Sequence, residues 1–278
     1  MPLNALVYAL LGLAIGSFLN VCIYRIPLRK SVVFPGSRCP HCESAISLYD
    51  NIPLLSFLLL RAKCRSCGKP ISWQYPLVEL LTGLVFLRCA LKWNFTSPTY
   101  VNSLLLSIVI ILIFVDYRHR ILPNILTLPG AAAGILLSPL QVSSFYADPV
   151  SSMAAAWLWP GNPGLILPWV GSLLGAILGG GVLFCVAVAF EKIRRKQGLG
   201  MGDVKMMSMV GAFLGWPFAG LTIFAGSLFG SIVGIFLILF CSRDLQTKLA
   251  FGAFLGMGTA VSLFYGPQFI SWWLNIPR

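Results

Sequence analysis

Long apolar segments alternate with short polar segments along this chain of 278 residues. A helix that crosses the hydrocarbon core of a bilayer needs about 17–25 predominantly apolar residues. The pattern predicts eight membrane-spanning helices, at residues 3–24, 76–92, 98–117, 122–140, 165–190, 205–220, 221–241 and 250–273. Seven spans are the alternative, since only Trp216, Pro217 and nearby glycines separate the sixth span from the seventh.

The composition agrees with this pattern. Hydrophobic residues make up 58% of the chain and charged residues only 10%, whereas a soluble domain carries about 25% charged residues. We therefore predict an all-α polytopic membrane protein in contact with lipid. Residues 25–75 are the exception, because this region between the first two spans is polar and rich in cations.

The net charge of +12 does not indicate a nucleic-acid partner, because the cations are concentrated in alternate connections. Such a bias marks the cytoplasmic segments of a membrane protein. The cation-rich connections follow the first, third, fifth and seventh spans, whereas residues 141–168 contain no Lys or Arg. We predict that both termini lie outside and that these four connections face the cytoplasm.

Four of the eight cysteines form two pairs, Cys39-Pro-His-Cys42 and Cys64-Arg-Ser-Cys67. Two such pairs can supply the four thiolates of a tetrahedral structural zinc site. Disulfides are the alternative, but this region is cytoplasmic by its charge, and that compartment keeps thiols reduced. We predict zinc ligation by Cys39, Cys42, Cys64 and Cys67, with His41 outside the ligand set.

Asp116 and Asp203 stand out among only eight acidic residues. Asp116 ends the third apolar segment, and Asp203 follows Gly200-Met-Gly202 where the sixth begins. A carboxylate inside a membrane costs about 2.5–3.5 kcal/mol on insertion scales, so an acid at its boundary is a functional candidate. Two neighbouring carboxylates can share one proton, activate water and hydrolyse a peptide bond without a metal. We expect the two glycines to allow close approach and unusual dihedral angles beside Asp203.

Other interpretations of the acids stay open at this point. Each aspartate could cap a helix or pair with Arg118 or Lys205. Membrane carboxylates could also be the proton sites of a transporter, but only Glu79 comes near a mid-span position. Glycines at four-residue spacing, such as Gly171, Gly175 and Gly179 or Gly252 and Gly256, are interpreted as helix-packing positions.

The ordered set of motifs resembles the type IV prepilin leader peptidases, bifunctional membrane enzymes of pilus and type II secretion systems. The first segment is Gly16-Ser-Phe-Leu-Asn-Val-Cys-Ile-Tyr-Arg-Ile-Pro27. The two cysteine pairs follow in the order of the family. The remaining segments are residues 50–54 (DNIPL), 75–83 (YPLVELLTG), 200–205 (GMGDVK) and 211–216 (GAFLGW).

The resemblance implies a GxGD-type aspartic peptidase with Asp116 and Asp203 as its catalytic residues. Its substrates would be prepilins or pseudopilins, cut after a glycine at the cytoplasmic face of the bacterial inner membrane. The resemblance also implies N-methylation of the new terminus with S-adenosylmethionine, an activity associated with the cysteine-bearing loop. No residue is assigned to the methyl donor.

The predicted organisation follows from this resemblance. Residues 1–24 form the first transmembrane helix, residues 25–75 the zinc domain and residues 76–278 the peptidase domain. Two alternatives remain, a catalytically silent zinc-loop scaffold of a pilus or secretion assembly and a peptidase without methylation. The sequence does not distinguish a monomer from a dimer.

Three positions depart from the family pattern. Asn124 replaces an aspartate in Leu-Pro-Asp, which leaves Asp116 as the only acid in that region. Ala253 replaces the proline of Phe-Gly-Pro, and we expect this change in backbone stiffness not to affect the chemistry. Ala62 replaces the glycine of an Arg-Gly pair before the second cysteine pair, a change that bears on methylation.

Overall fold

A computed structural model describes residues 2–195, 198–241 and 249–273. Four of the cations from which the membrane orientation was predicted lie outside the described residues: Lys196, Arg243, Lys248 and Arg278. Apart from two isolated β-bridges, the regular structure of the described residues is helical, as predicted. The α-helices are α1 Leu3–Arg25, α2 Leu55–Leu59, α3 Gln74–Trp93, α4 Ser97–His119, α5 Asn124–Leu137, α6 Pro149–Leu158, α7 Pro163–Arg194, α8 Met201–Leu214, α9 Trp216–Cys241 and α10 Phe251–Trp273.

The chain forms two compact units, residues 1–111 and 112–278. The division into domains predicted from the sequence remains a prediction. In the first unit α1 packs antiparallel against α3. Gly12 of α1 contacts Phe86 of α3, and Gly16 lies against the backbone of Glu79, where a Cβ would be 2.7 Å from Cα of Glu79. The small α1 residues therefore allow the two backbones to approach closely.

Helix α8 is the buried centre of the second unit. It contacts α5, α7, α9 and α10, and every residue from Met209 to Leu214 is buried. Gly175 of α7 and Gly211 of α8 face each other, and a Cβ on either residue would overlap the carbonyl oxygen of the other. Because α8 is enclosed on several sides, the acid near its N-terminus has a fixed position.

Five helices among the described residues, α1, α3, α4, α7 and α9, are long and apolar enough to cross a membrane. Helix α8 has 14 residues, fewer than the about 17 that a span needs. It ends at Leu214, and the next residue, Gly215, has a φ of 79°, which favours glycine. Helix α9 then begins at Trp216, so the predicted boundary between residues 220 and 221 is wrong. The number of spans remains a prediction.

The outer surfaces of α7 and α9 carry exposed apolar side chains, among them Ile177, Ile232 and Phe236. Only 11% of the most apolar 18-residue stretch of α9 is buried inside the protein. Exposed apolar surface of this extent indicates contact with lipid. The protein is a multi-pass membrane protein.

Helix α6 lies within the cation-free segment and was not among the predicted helices. Its N-cap residue Asp148 accepts hydrogen bonds from the N–H of Ser151 at 2.9 Å and from Nε1 of Trp216 at 2.8 Å. The neighbouring Tyr146 is buried and donates its hydroxyl to the carbonyl of Phe213 at 2.9 Å. This segment therefore packs onto the end of α8.

The contact between Gly175 and Gly211 generates a stability prediction. Gly175→Ala inserts a methyl group into a backbone contact, and we expect a loss of about 1–3 kcal/mol, the usual cost of overpacking. Gly181→Ala on the same helix is the control, since a Cβ at Gly181 meets nothing within 4 Å. Thermal unfolding in detergent should show a lower midpoint for Gly175→Ala only. Equal midpoints for the two variants would contradict the close contact.

Candidate aspartate site and cysteine cluster

The four cysteines of the two pairs come together in the first unit. The sulfur atoms of Cys39, Cys42, Cys64 and Cys67 all lie within 4.8 Å of one another. Cys39 and Cys67 are separated by 3.9 Å, close to the roughly 3.8 Å that tetrahedral zinc–sulfur bonds of about 2.3 Å impose. His41 is not part of the cluster. The donor set and its spacing fit a zinc ion.

The two cysteine pairs form the same backbone turn twice. In each turn the first cysteine N–H donates across the turn, from Cys39 to Ser44 at 3.0 Å and from Cys64 to Lys69 at 2.8 Å. The residue after each second cysteine has a positive φ, 56° at Glu43 and 68° at Gly68. Each turn also closes with an isolated β-bridge. The local backbone thus presents two cysteine sulfurs from each turn to one point.

Side-chain interactions support the cluster. The hydroxyl of Ser44 lies 3.0 Å from the sulfur of Cys42, and hydrogen bonds from Ser44 lower the pKa of Cys42 to about 6. This sulfur is therefore a thiolate at neutral pH, the form that binds metal. Arg65 forms a two-point ion pair with Asp50, at 2.8 and 2.7 Å, which lowers the pKa of that carboxyl.

Asp116 lies near the end of α4 and is 6% exposed. Its Oδ2 accepts a hydrogen bond from the N–H of Ala253 at 3.1 Å, and the N–H of Gly252 also donates to the Asp116 carboxylate. Both donors belong to the first turn of α10. The N-terminus of a helix carries partial positive charge, so it stabilises a carboxylate at this position.

Asp203 lies in the first turn of α8 and is 8% exposed. The backbone of Gly200 donates to its carboxylate. The charge of Asp116 acts on Asp203, so the structure brings the two predicted residues into one electrostatic environment. Each carboxylate is placed at the N-terminus of a different helix.

Leu122 packs close to Asp116 and against Gly202, the residue before Asp203. A Cβ on Gly202 would lie 2.9 Å from Cβ of Leu122. A Cβ on Gly252 would lie 2.9 Å from Oδ2 of Asp116 and equally close to Cδ1 of Leu122. The two glycines therefore let the backbones of α8 and α10 approach the same leucine and carboxylate. Gly252 had been interpreted as a helix-packing position, and sequence reasoning missed its contact with Asp116.

The ion-pair interpretation of the aspartates is not supported. Among the described residues neither Asp116 nor Asp203 forms a salt bridge. Lys205 instead donates to Oδ1 of Asn124 at 2.9 Å. Asn124, which stands where the family pattern has an aspartate, is thus the hydrogen-bond partner of Lys205.

Two expectations about this site need correction. Ala253 does affect the carboxylate, because its N–H donates to Asp116 and a proline there would have no N–H to give. The dihedral angles beside Asp203 are ordinary, since Gly200 has a φ of −77°. The glycines serve the predicted close approach alone.

Ala62 adopts a φ of 58°, a conformation that glycine reaches more readily than alanine. Its N–H donates to the carbonyl of Phe57 at 2.9 Å, and its carbonyl accepts from Ile71 at 2.7 Å. Ala62 therefore holds a left-handed backbone conformation, with strain.

The fold and the two sites define a class of protein: a multi-pass helical membrane protein with a buried aspartate pair and a four-cysteine loop. Residues 10–93 match the model of the bacterial peptidase A24 N-terminal domain. Residues 103–235 match the model of the type IV leader peptidase family. No solved structure gives a significant match.

Curated relatives are similar over most of this chain. A prepilin leader peptidase/N-methyltransferase of Myxococcus xanthus is 41% identical over 87% of this chain, which covers 65% of that protein. Proteins of the same name from Aeromonas hydrophila and Stutzerimonas stutzeri are each 32% identical over 96% and 100% of this chain and 92% and 96% of their own lengths. The chain belongs to the type IV leader peptidase family.

Zinc content is the first measurement that the site calls for. We expect about one zinc ion per purified chain, and Cys64→Ser should remove most of it, because three thiolates bind the ion less tightly than four. Elemental analysis checks the metal, and a melting curve checks the loss of stability. Cys185→Ser, an exposed cysteine outside the cluster, is the control. Full zinc content in Cys64→Ser would exclude the proposed ligand set.

A second measurement tests the strain at Ala62. Ala62→Gly should raise the free energy of unfolding by about 1 kcal/mol, since it relieves a left-handed alanine. Ala45→Gly, in the other cysteine turn and without a positive φ, should lower it by about 0.5–1 kcal/mol. Chemical denaturation of both variants tests the sign. A destabilised Ala62→Gly protein would show that the alanine is not strained.

Proposed function

We propose that this protein is an aspartic endopeptidase that removes the leader of type IV prepilins and pseudopilins and then methylates the new N-terminal amine. The observation that carries the proposal is the burial of Asp116 and Asp203 in one electrostatic environment, each at the N-terminus of a different helix. The names of the relatives join both activities in one protein.

The aspartate pair has the chemistry for hydrolysis. Two charges of the same sign in a buried site do not ionise together readily, so the pair holds one proton. Two backbone N–H groups of α10 favour the charged form of Asp116, which makes it the base in this scheme. Asp116 takes a proton from water as the water oxygen attacks the scissile carbonyl. Asp203 protonates the carbonyl oxygen, which gives a gem-diol intermediate. As the C–N bond breaks, the proton on Asp116 passes to the leaving amine and one diol hydroxyl returns its proton to Asp203, which leaves a carboxylic acid and restores the pair.

The charge pattern of the sequence supports the substrate. A prepilin carries a short basic leader followed by an apolar helix, so its scissile bond lies where the cytoplasm meets the bilayer. From the cation-rich connections we expect the end of α4 and the start of α8 on the cytoplasmic side. Both aspartates then meet the bond at that boundary, and lipid surrounds the helix that follows it.

Methylation is the second half of the proposal. S-adenosylmethionine supplies an activated methyl group when it is bound. The cysteine cluster would hold zinc through four thiolates, a closed coordination shell that organises a loop and leaves no position for a substrate. The residue at position 62 is no obstacle, because Ala62 keeps the backbone conformation expected of a glycine. A silent scaffold is not favoured, since it has no need of two buried carboxylates.

Substitution of each aspartate tests the peptidase. Asp116→Asn and Asp203→Asn should each lower the rate of leader removal at least about 100-fold, because an amide neither accepts a proton nor supplies one. A gel shift of a co-expressed prepilin measures cleavage, and mass spectrometry of the product locates the cut. Glu191→Gln, an exposed acid on α7, is the matched control. Cleavage by both aspartate variants would overturn the assignment.

A further inference from the structure

A second buried carboxylate lies in the first unit, outside the aspartate pair. Glu79 of α3 is 8% exposed. It accepts a hydrogen bond from the N–H of Leu54 at 2.8 Å and interacts with the side chain of Ser17. Among the described residues no Lys, Arg or His forms a salt bridge with Glu79. A buried carboxylate without a counter-charge is costly, so it needs an explanation beyond packing.

Asn20 of α1 has an unused acceptor in the same region. Its side chain is 3% exposed, and its Nδ2 donates to the carbonyls of Tyr75 at 3.0 Å and Gly16 at 3.3 Å. Its Oδ1 has no hydrogen-bond partner among the described residues. A buried acceptor without a donor costs about 1–3 kcal/mol. The amide is held by its nitrogen, and its oxygen remains available to a ligand that donates a hydrogen bond.

Helix packing places Asn20 and Glu79 about one turn apart at the same crossing of α1 and α3. Gly16 lies against the backbone of Glu79, and Asn20, one turn further along α1, reaches the carbonyl of Tyr75, one turn earlier on α3. Both acceptors therefore belong to the same crossing of α1 and α3. Ser17, between Gly16 and Asn20, is half-buried, so the cluster extends to the edge of the buried region.

Three motifs that the aspartate pair does not use converge here. They are residues 16–27, 50–54 and 75–83, which contribute Asn20, Leu54 and Glu79. Leu54 has a φ of 60° and a ψ of −46°, a backbone strain of about 1–3 kcal/mol that persists only where the surroundings hold it. The hydrogen bond from the N–H of Leu54 to Glu79 stabilises this backbone conformation. Backbone strain, an unsatisfied amide oxygen and a buried carboxylate without a counter-charge at one helix crossing are typical of a binding site.

We propose that Glu79 and Asn20 bind the α-ammonium group of the cleaved substrate and that Glu79 takes its proton before methylation. This inference rests on the proposed function and names the residues that receive the product of cleavage. An ammonium group offers the positive charge that Glu79 lacks and an N–H for Oδ1 of Asn20. The methyl donor carries an α-ammonium group of its own, so occupation of the pair by the donor is the competing outcome that the experiment separates.

The proton transfer makes the amine reactive. One N–H bond of the ammonium breaks, its electron pair stays on nitrogen, and the proton binds the carboxylate of Glu79. The neutral amine that results has the lone pair needed to attack a methyl group, whereas the ammonium has none. Glu79 is a base in this step, and Asn20 is a positioning residue.

Peptide binding tests the ammonium site without requiring turnover. The probes are two synthetic peptides of a mature pilin N-terminal segment in detergent, one with a free amine and one N-acetylated. The intact protein should bind the free-amine peptide at least about 10-fold more tightly than its acetylated form. Glu79→Gln should abolish this preference, because the amide still accepts from Leu54 but has no charge. Glu191→Gln, the exposed acid, should keep it.

Methylation of the same free-amine peptide provides the second readout. Glu79→Gln should lower the methylated fraction at least about 100-fold, and Glu79→Asp, which keeps the carboxylate, should restore part of it. Unchanged methylation by Glu79→Gln, or no preference for the free amine in the intact protein, overturns the inference. Loss of donor binding with an unchanged amine preference also overturns it, since Glu79 would then serve the donor.

The peptide is already cleaved, so this experiment is independent of leader removal. A protein that methylates the peptide but leaves a prepilin uncut would contradict the aspartate proposal and leave the Glu79 inference standing. A protein that cuts the prepilin but shows no preference for the free amine would contradict the Glu79 inference and leave the aspartate proposal standing.

Discussion

The cost of burying a carboxylate governs this structure. A chain with 58% hydrophobic residues and only eight acids has little polar surface with which to solvate a charge inside its helices. Asp116 and Asp203 are nevertheless almost completely buried. Backbone N–H groups at the N-termini of α10 and α8 provide the compensation, because they carry partial positive charge. The position of each aspartate is therefore set by where a second helix begins.

This constraint explains the glycines around the site. A helix N-terminus can reach a carboxylate on another helix only if no side chain stands between the two backbones. Gly252 allows α10 to approach Asp116, and Gly202 allows α8 to approach Leu122. Further along α8, Gly211 extends the same close packing to α7. Stability and site geometry thus depend on the same small residues.

The sequence predicted the helical membrane fold and the four-cysteine cluster, because each has a local signature, whereas the catalytic role of the two acids stays a prediction. Hydropathy identifies apolar helices, and cysteine spacing identifies a metal-binding turn. Helix boundaries were less accessible: α8 ends at Leu214, before the positive φ of Gly215, while the apolar pattern continues into α9. The donors to Asp116 were also missed. They come from Gly252 and Ala253, more than a hundred residues away in the chain, and backbone N–H groups have no signature in the sequence.

The departures from the family pattern show why residue identity alone misjudges a site. Ala253 looked like a change in stiffness, yet it adds a donor that proline lacks, directly on a buried carboxylate. The bearing of Ala62 on methylation stays a prediction, and the structure adds that its backbone is left-handed, a conformation that glycine reaches more readily than alanine. In both cases the backbone decides the effect, through an N–H in one and a φ angle in the other. Asn20 and Glu79 differ from these positions, because there the side chains themselves lack what burial requires. Among the described residues Oδ1 of Asn20 has no donor and Glu79 has no counter-charge, and a ligand can supply both.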